Sequence, residues 1–173
     1  MRLFILTCLI LFNLNAVGIE GQKAPSFGVD TWIQTNGRGY LDIADFKGQV
    51  VYLYGFQAWC PGCHSHGFPT LSKLSEHYKD DKKVAFVAVQ TVFEGYFYNT
   101  ISAAKKIIDK YKLTMPVGQS GLNHQRSQLM KNYKTGGTPW VIIIDKKGIV
   151  RFNAFGADTE YLVALIDMLK KEN

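Results

Sequence analysis

Val50-Val51-Tyr52-Leu53-Tyr54-Gly55-Phe56-Gln57-Ala58-Trp59-Cys60-Pro61-Gly62-Cys63-His64 is the stretch from which the rest of the chain can be read. Its first seven residues are apolar, β-branched or aromatic apart from one glycine, which suits a central strand buried on both faces. After Cys60 the spacing changes. Phe68, Leu71, Leu74, Ser75 and Tyr78 recur at helical intervals, so a helix is expected from Pro61 to about Tyr78. Pro61 suits a first helical turn, where a missing N–H is harmless, whereas Pro69 should kink the helix.

The junction of strand and helix carries Trp59-Cys60-Pro61-Gly62-Cys63-His64. Two intervening residues let both thiols share one helical turn and close a small disulfide ring. A helix N-terminus, with its dipole and free N–H groups, favours a thiolate there, which makes Cys60 the expected nucleophile. Cys63, one turn deeper, is the expected resolving thiol.

Other chemistries fit the same residues. Cys60-x-x-Cys63-His64 matches a c-type haem attachment pattern, with Met115, Met130 or His124 as formal axial ligands. Cys60, Cys63, His64 and His66 are soft ligands for zinc or copper, although four ligands within seven residues converge poorly. Two thiols with the distant His124 would suit a copper chaperone better. His66 reads as an exposed polar residue, while His64, beside a thiol, is a candidate for tuning it. The expected state is nonetheless metal-free and cofactor-free. Gly136-Gly137-Thr138-Pro139-Trp140 places a proline at the start of a strand after a glycine pair, a setting for a cis peptide that would pack on the cysteine pair.

Around this centre, strands and helices alternate. Phe27 to Ile33 and Gly37 to Leu41 are expected to form a strand pair around Asn36-Gly37. Val84 to Val89 reads as a second buried strand, Thr100 to Tyr111 as a helix, and Met115 to Val117 as a short strand. Leu122 to Tyr133 reads as a helix, Trp140 to Asp145 and Ile149 to Phe155 as a hairpin, and Tyr161 to Leu169 as a last helix capped by Asp158 or Thr159. This order predicts an α/β fold with a mixed sheet.

The chain has 173 residues, 47% of them hydrophobic, a net charge of +6 and three cysteines. One ordinary domain is therefore expected, neither disordered nor held together by a disulfide framework. Met1-Arg2, the apolar run Leu3 to Phe12 and Ala16-Val17-Gly18 have the layout of a secretory signal peptide. The run is shorter than the ~20 residues of a membrane span, so cleavage after Gly18 is favoured over retention as an anchor. Residues 1–18 would be the leader, carrying Cys8, and 19–173 the domain, leaving two cysteines and one compartment, outside the cytoplasm. Basic residues such as Lys79, Lys105-Lys106, Lys146-Lys147 and Lys170-Lys171 are scattered over turns and helix ends without interleaved aromatics, which argues against a nucleic-acid surface.

The sequence resembles the thioredoxin superfamily, specifically TlpA/ResA-like extracytoplasmic thiol–disulfide oxidoreductases. The resemblance spans residues 22 to 170 and rests on Ala24-Pro25-Ser26-Phe27, Asp42 to Gly48, Gly55 to Cys63, Thr138-Pro139 and Ile144 to Gly148. It implies a thioredoxin fold with an N-terminal strand-pair extension and an inserted helical segment near Phe97 to Tyr111. It also implies attack by Cys60, resolution by Cys63, and a cis-proline site at Thr138-Pro139 supported by Trp59, Pro61, Gly62 and His64. An acid in the loop after the second core strand often serves such reductases, and Glu94 is the nearest match. Protein thiols or disulfides would be substrates, a second redox protein the partner, and the chain a monomer that meets a membrane only if the leader is retained. A peroxidase would need Thr or Ser three residues before its cysteine, where this chain has Gln57.

Overall fold

The computed structural model describes residues 18–172. Apart from Gly18, the leader and its Cys8 lie outside them. Six strands form one mixed sheet in the order β1-β4-β3-β2-β5-β6. The strands are β1 (Thr31–Gln34), β2 (Val50–Phe56), β3 (Val84–Thr91), β4 (Val117–Ser120), β5 (Trp140–Ile144) and β6 (Val150–Ala154). The helices are α1 (Phe68–His77), α2 (Ile101–Tyr111), α3 (Gln128–Tyr133) and α4 (Thr159–Lys171). β2, β3 and β4 run parallel, and β1, β5 and β6 join antiparallel to their neighbours. This is the α/β arrangement expected from the alternation of elements.

Every residue of β2 is buried, because the sheet is covered on both sides. Val50, Tyr52, Tyr54 and Phe56 point into a core shared with Phe68, Leu71 and Leu74 of α1 and Leu162, Ile166 and Leu169 of α4. Val51 and Leu53 point the other way, toward Phe27, Phe46, Leu129, Tyr133 and Ile142. The two-residue period of a strand thus builds two cores from one sequence run. α4 begins where Asp158 accepts hydrogen bonds from the N–H groups of Glu160 and Tyr161, as the capping pattern predicts. No helix among the described residues is long and apolar enough to cross a membrane.

Three local expectations are corrected. The Asn36-Gly37 turn forms, with φ of 56° and 80°, but residues 37–41 do not pair back on β1. β1 instead pairs with β4. Side chains of β1 then tie down the flanking main chain: Trp32 donates to the Leu41 carbonyl at 3.1 Å, and Gln34 to those of Leu113 and Met115, both at 2.8 Å. The helix expected from Leu122 begins only at Gln128. Asn123 and His124 take left-handed φ of 53° and 60°, Asp30 accepts from the N–H groups of Gly121 and Leu122, and Ser127 caps the helix through the Met130 N–H. Finally, the break expected at Pro69 is taken up one turn earlier. Cys63–Gly67 is a π-helical turn, in which the Phe68 N–H reaches the Cys63 carbonyl five residues back, so Pro69 falls in the first turn of α1.

Candidate active site

β2 delivers the chain to Cys60 at the carboxyl end of the parallel strands, and the helix that follows delivers Cys63. Both thiols are free. The Cys63 N–H donates to the Cys60 sulfur at 3.3 Å, so the two cysteines occupy one turn. Cys60 is 9% exposed and Cys63 0%, which leaves Cys60 as the thiol that a partner can reach. The Cys60 thiol donates a hydrogen bond to the Thr138 carbonyl at 3.5 Å. The Thr138–Pro139 peptide is cis. Burial, together with the neighbouring Cys60 thiol, pushes the Cys63 thiol up to about 12, so Cys63 is protonated at rest.

Four further candidates surround the pair. Gly62 faces the proline: a Cβ there would lie 3.2 Å from Pro139 Cδ and 4.0 Å from the Cys60 sulfur. Pro61 is exposed in the first helical turn. Trp59 is half-exposed, stacks on Tyr98 with rings 6.0 Å apart, and donates its indole N–H to Gln57 Oε1 at 3.1 Å. The Glu94 side chain is exposed. What residue 94 contributes is its carbonyl, which accepts from Gln57 Nε2 at 3.3 Å and Asn99 Nδ2 at 3.1 Å.

His64 does not turn toward a thiol. Its Nε2–H donates to the Ala58 carbonyl at 2.8 Å, because a carbonyl can only accept, and Nδ1 then accepts from the Tyr111 hydroxyl at 2.7 Å. The ring also stacks on Tyr111 of α2. His64 therefore ties the loop before Cys60 to α2, and neither nitrogen is left for a metal or a haem iron. His66 is exposed and bonded to Ser65, and His124 packs against Tyr96 and Phe97. No group of three His, Cys, Asp or Glu that could hold a metal ion occurs among the described residues.

Two sets of residues at the site escaped the sequence reading. One is a run of buried amides. Gln90 Oε1 accepts from the Ala58 N–H at 3.2 Å, while its Nε2 donates to the Thr100 carbonyl at 3.0 Å and to Gln119 Oε1 at 2.9 Å. Gln119 in turn donates to the Asn99 carbonyl at 3.1 Å. The available signal was Gln90 itself, a polar residue closing an apolar strand. The other set joins the expected Pro139 in lining a groove of about 480 Å³ beside the cysteine pair: Tyr52, Tyr54, Gly67, Val141 and Phe155 among others. Tyr52 and Tyr54 read as part of a buried strand, and only the fold shows that they border an opening.

The family model described as Redoxin matches residues 19–165. The chain belongs to the Redoxin family. Within it, the chain is 28% identical to the thiol-disulfide oxidoreductase ResA of Bacillus subtilis (strain 168), over 94% of this chain and 89% of the relative. Among solved structures it matches a thiol-disulfide isomerase from Corynebacterium glutamicum at 32% identity and a TM-score of 0.77, covering 87% of this chain and 98% of that one. A thioredoxin-like superfamily protein matches at 34% identity and a TM-score of 0.78, over 87% and 97% of the two chains. This Redoxin is thus a TlpA/ResA-like member of the thioredoxin superfamily, as its motifs implied.

Proposed function

We propose that this protein is a thiol–disulfide oxidoreductase that exchanges disulfides with protein substrates through Cys60 and Cys63. The observation that carries the reading is the pairing of an accessible Cys60 with a sealed Cys63 inside one helical turn, beside Pro139. The Cys60 thiolate attacks a substrate disulfide, and one substrate sulfur leaves. Cys63 then attacks the Cys60 sulfur, the mixed disulfide breaks, and the second substrate sulfur departs. Two electrons pass from the cysteine pair to the substrate, and the reverse sequence oxidises a substrate dithiol. The relatives named as oxidoreductase and isomerase support this chemistry. The leader pattern of residues 1–18 supports an extracytoplasmic site of action; in this reading the protein works as a monomer and a second redox protein resets the pair.

Trapping tests the reading. Cys63→Ser should accumulate mixed disulfides with partner proteins under non-reducing conditions, and Cys60→Ser should not. Equal trapping by both variants, or by neither, would overturn it.

A further inference from the structure

Tyr54 poses a physical problem. Its ring is fully buried on the β2 face that carries the cysteine pair, stacked on Phe56 with centroids 6.0 Å apart and edge-on to Phe68 at 5.5 Å. Its hydroxyl is buried too, and makes no hydrogen bond to any protein group. A buried hydroxyl without a partner is unfavourable, and phenylalanine would fill the same space without that cost. The position of the hydroxyl is defined by Gly67. A Cβ at Gly67 would collide with it and would also lie 3.0 Å from Pro139 Cβ. The hydroxyl therefore sits beneath the π-helical turn that starts at Cys63, against the wall of the site. Cys63 opens that same turn and shares the buried core with Tyr54.

We propose that the Tyr54 hydroxyl is the hydrogen-bond donor held ready for the Cys63 thiolate, and that it sets the rate of the resolving step. The proposal rests on the exchange reading above. In that step the Cys63 thiol gives its proton to solvent and its sulfur attacks the Cys60 sulfur. The bond between Cys60 and the substrate sulfur breaks, and the substrate leaves as a thiolate that takes up a proton. Tyr54 stays neutral throughout and donates its O–H to the sulfur while that sulfur is charged. In the reverse direction the same donor stabilises Cys63 as the leaving group. A donor already in place needs no reorganisation when charge develops on the sulfur. Burial and the nearby thiols push the Tyr54 phenol far above its ordinary range, so it remains a donor at any physiological pH.

A hydrogen bond to a charged group is worth about tenfold to a hundredfold in the equilibrium that forms the charge. Because thiolate nucleophilicity falls as the thiolate is stabilised, about half of that, on a logarithmic scale, survives in the rate. Tyr54→Phe should therefore slow resolution about three- to tenfold. The measurement uses an aromatic disulfide that releases one coloured thiolate when Cys60 attacks and a second when Cys63 resolves. Tyr54→Phe should leave the first phase unchanged and slow the second. In a Cys60→Ser background it should raise the midpoint of Cys63 thiolate absorbance by about one pH unit. Tyr52→Phe removes the other unpartnered hydroxyl of this face and should change neither readout. A second phase at the wild-type rate, an unmoved midpoint, or equal slowing of both phases would overturn the proposal. If wild-type protein shows no second phase at all, the exchange reading has failed, and the Cys63 midpoint still reports on Tyr54.

Discussion

The two flanks of the Cys60 loop are made of opposite materials. Toward β3 and β4 lie Gln57, Gln90, Asn99 and Gln119, buried amides that bond to one another or to the main chain, with Asn99 Oδ1 left unpartnered. Toward β5 and α4 lie Tyr52, Tyr54, Val141, Pro139 and Phe155, an apolar wall around an open groove, with two phenolic hydroxyls unpartnered. Between them, the Ala58 N–H bonds to Gln90 and the Ala58 carbonyl accepts from His64, which ties the loop to α2. The difference separates two tasks. Directional bonds with fixed partners hold the loop in one geometry, and an apolar wall governs the protonation of the thiol it shields.

The sharpest way to break the comparison is to remove the central amide. Gln90→Leu keeps the volume but strands the partly buried Ala58 N–H and the buried Gln119 Oε1, while the Thr100 carbonyl keeps the Ala104 N–H. Unsatisfied buried groups of this kind cost about 1–3 kcal/mol each before relaxation, so a loss of about 2–4 kcal/mol in unfolding free energy is expected. Denaturant titration of the reduced protein would show it. A loss under about 1 kcal/mol would mean that this flank does not fix the loop.

On the apolar flank the corresponding test is Gly67→Ala. Alanine should gain helix propensity, but its Cβ would collide with the Tyr54 hydroxyl. Overpacking of this kind costs about 1–3 kcal/mol and should outweigh the gain of under about 1 kcal/mol. Adding Tyr54→Phe takes away the hydroxyl and should restore part of the loss, so the pair should couple by at least about 0.5 kcal/mol in a double-mutant cycle. Strict additivity would show that the hydroxyl is not lodged under the π-helical turn.

The two flanks were not equally legible in the sequence. The strand from Val50, the helix after Pro61 and the pair Cys60 and Cys63 each follow from a short-range pattern, either a period or a spacing, and these are what the fold retains. The partners of that pattern were hidden because they are set by register. Gln90 sits opposite Phe56, and Gln119 opposite Gln90, through parallel pairing across segments distant in sequence. His64 was visible as a residue beside a thiol, but its direction depends on Tyr111, 47 positions away. Likewise, Asn36-Gly37 specifies a turn and says nothing about what lies beyond it, so the strand that follows β1 was expected where the chain instead lays Trp32 and Gln34 across carbonyls.

The finest test of the comparison concerns protons. In the fold, the apolar flank holds Cys63 at about 12, against about 9 for an ordinary thiol. The folded state therefore binds this proton more tightly than the unfolded chain. The stability that follows is complete below pH 9 or so and is lost as pH rises through the folded value. Reduced wild-type protein should lose about 1 kcal/mol more than Cys63→Ala between pH 7.5 and 10. Taking the difference matters, because burial pushes Tyr52, Tyr54 and Tyr133 upward as well, and their contribution has the same sign in both proteins. Parallel stability profiles for the two would show that the apolar flank leaves the Cys63 proton unconstrained, and the division of tasks between the flanks would collapse.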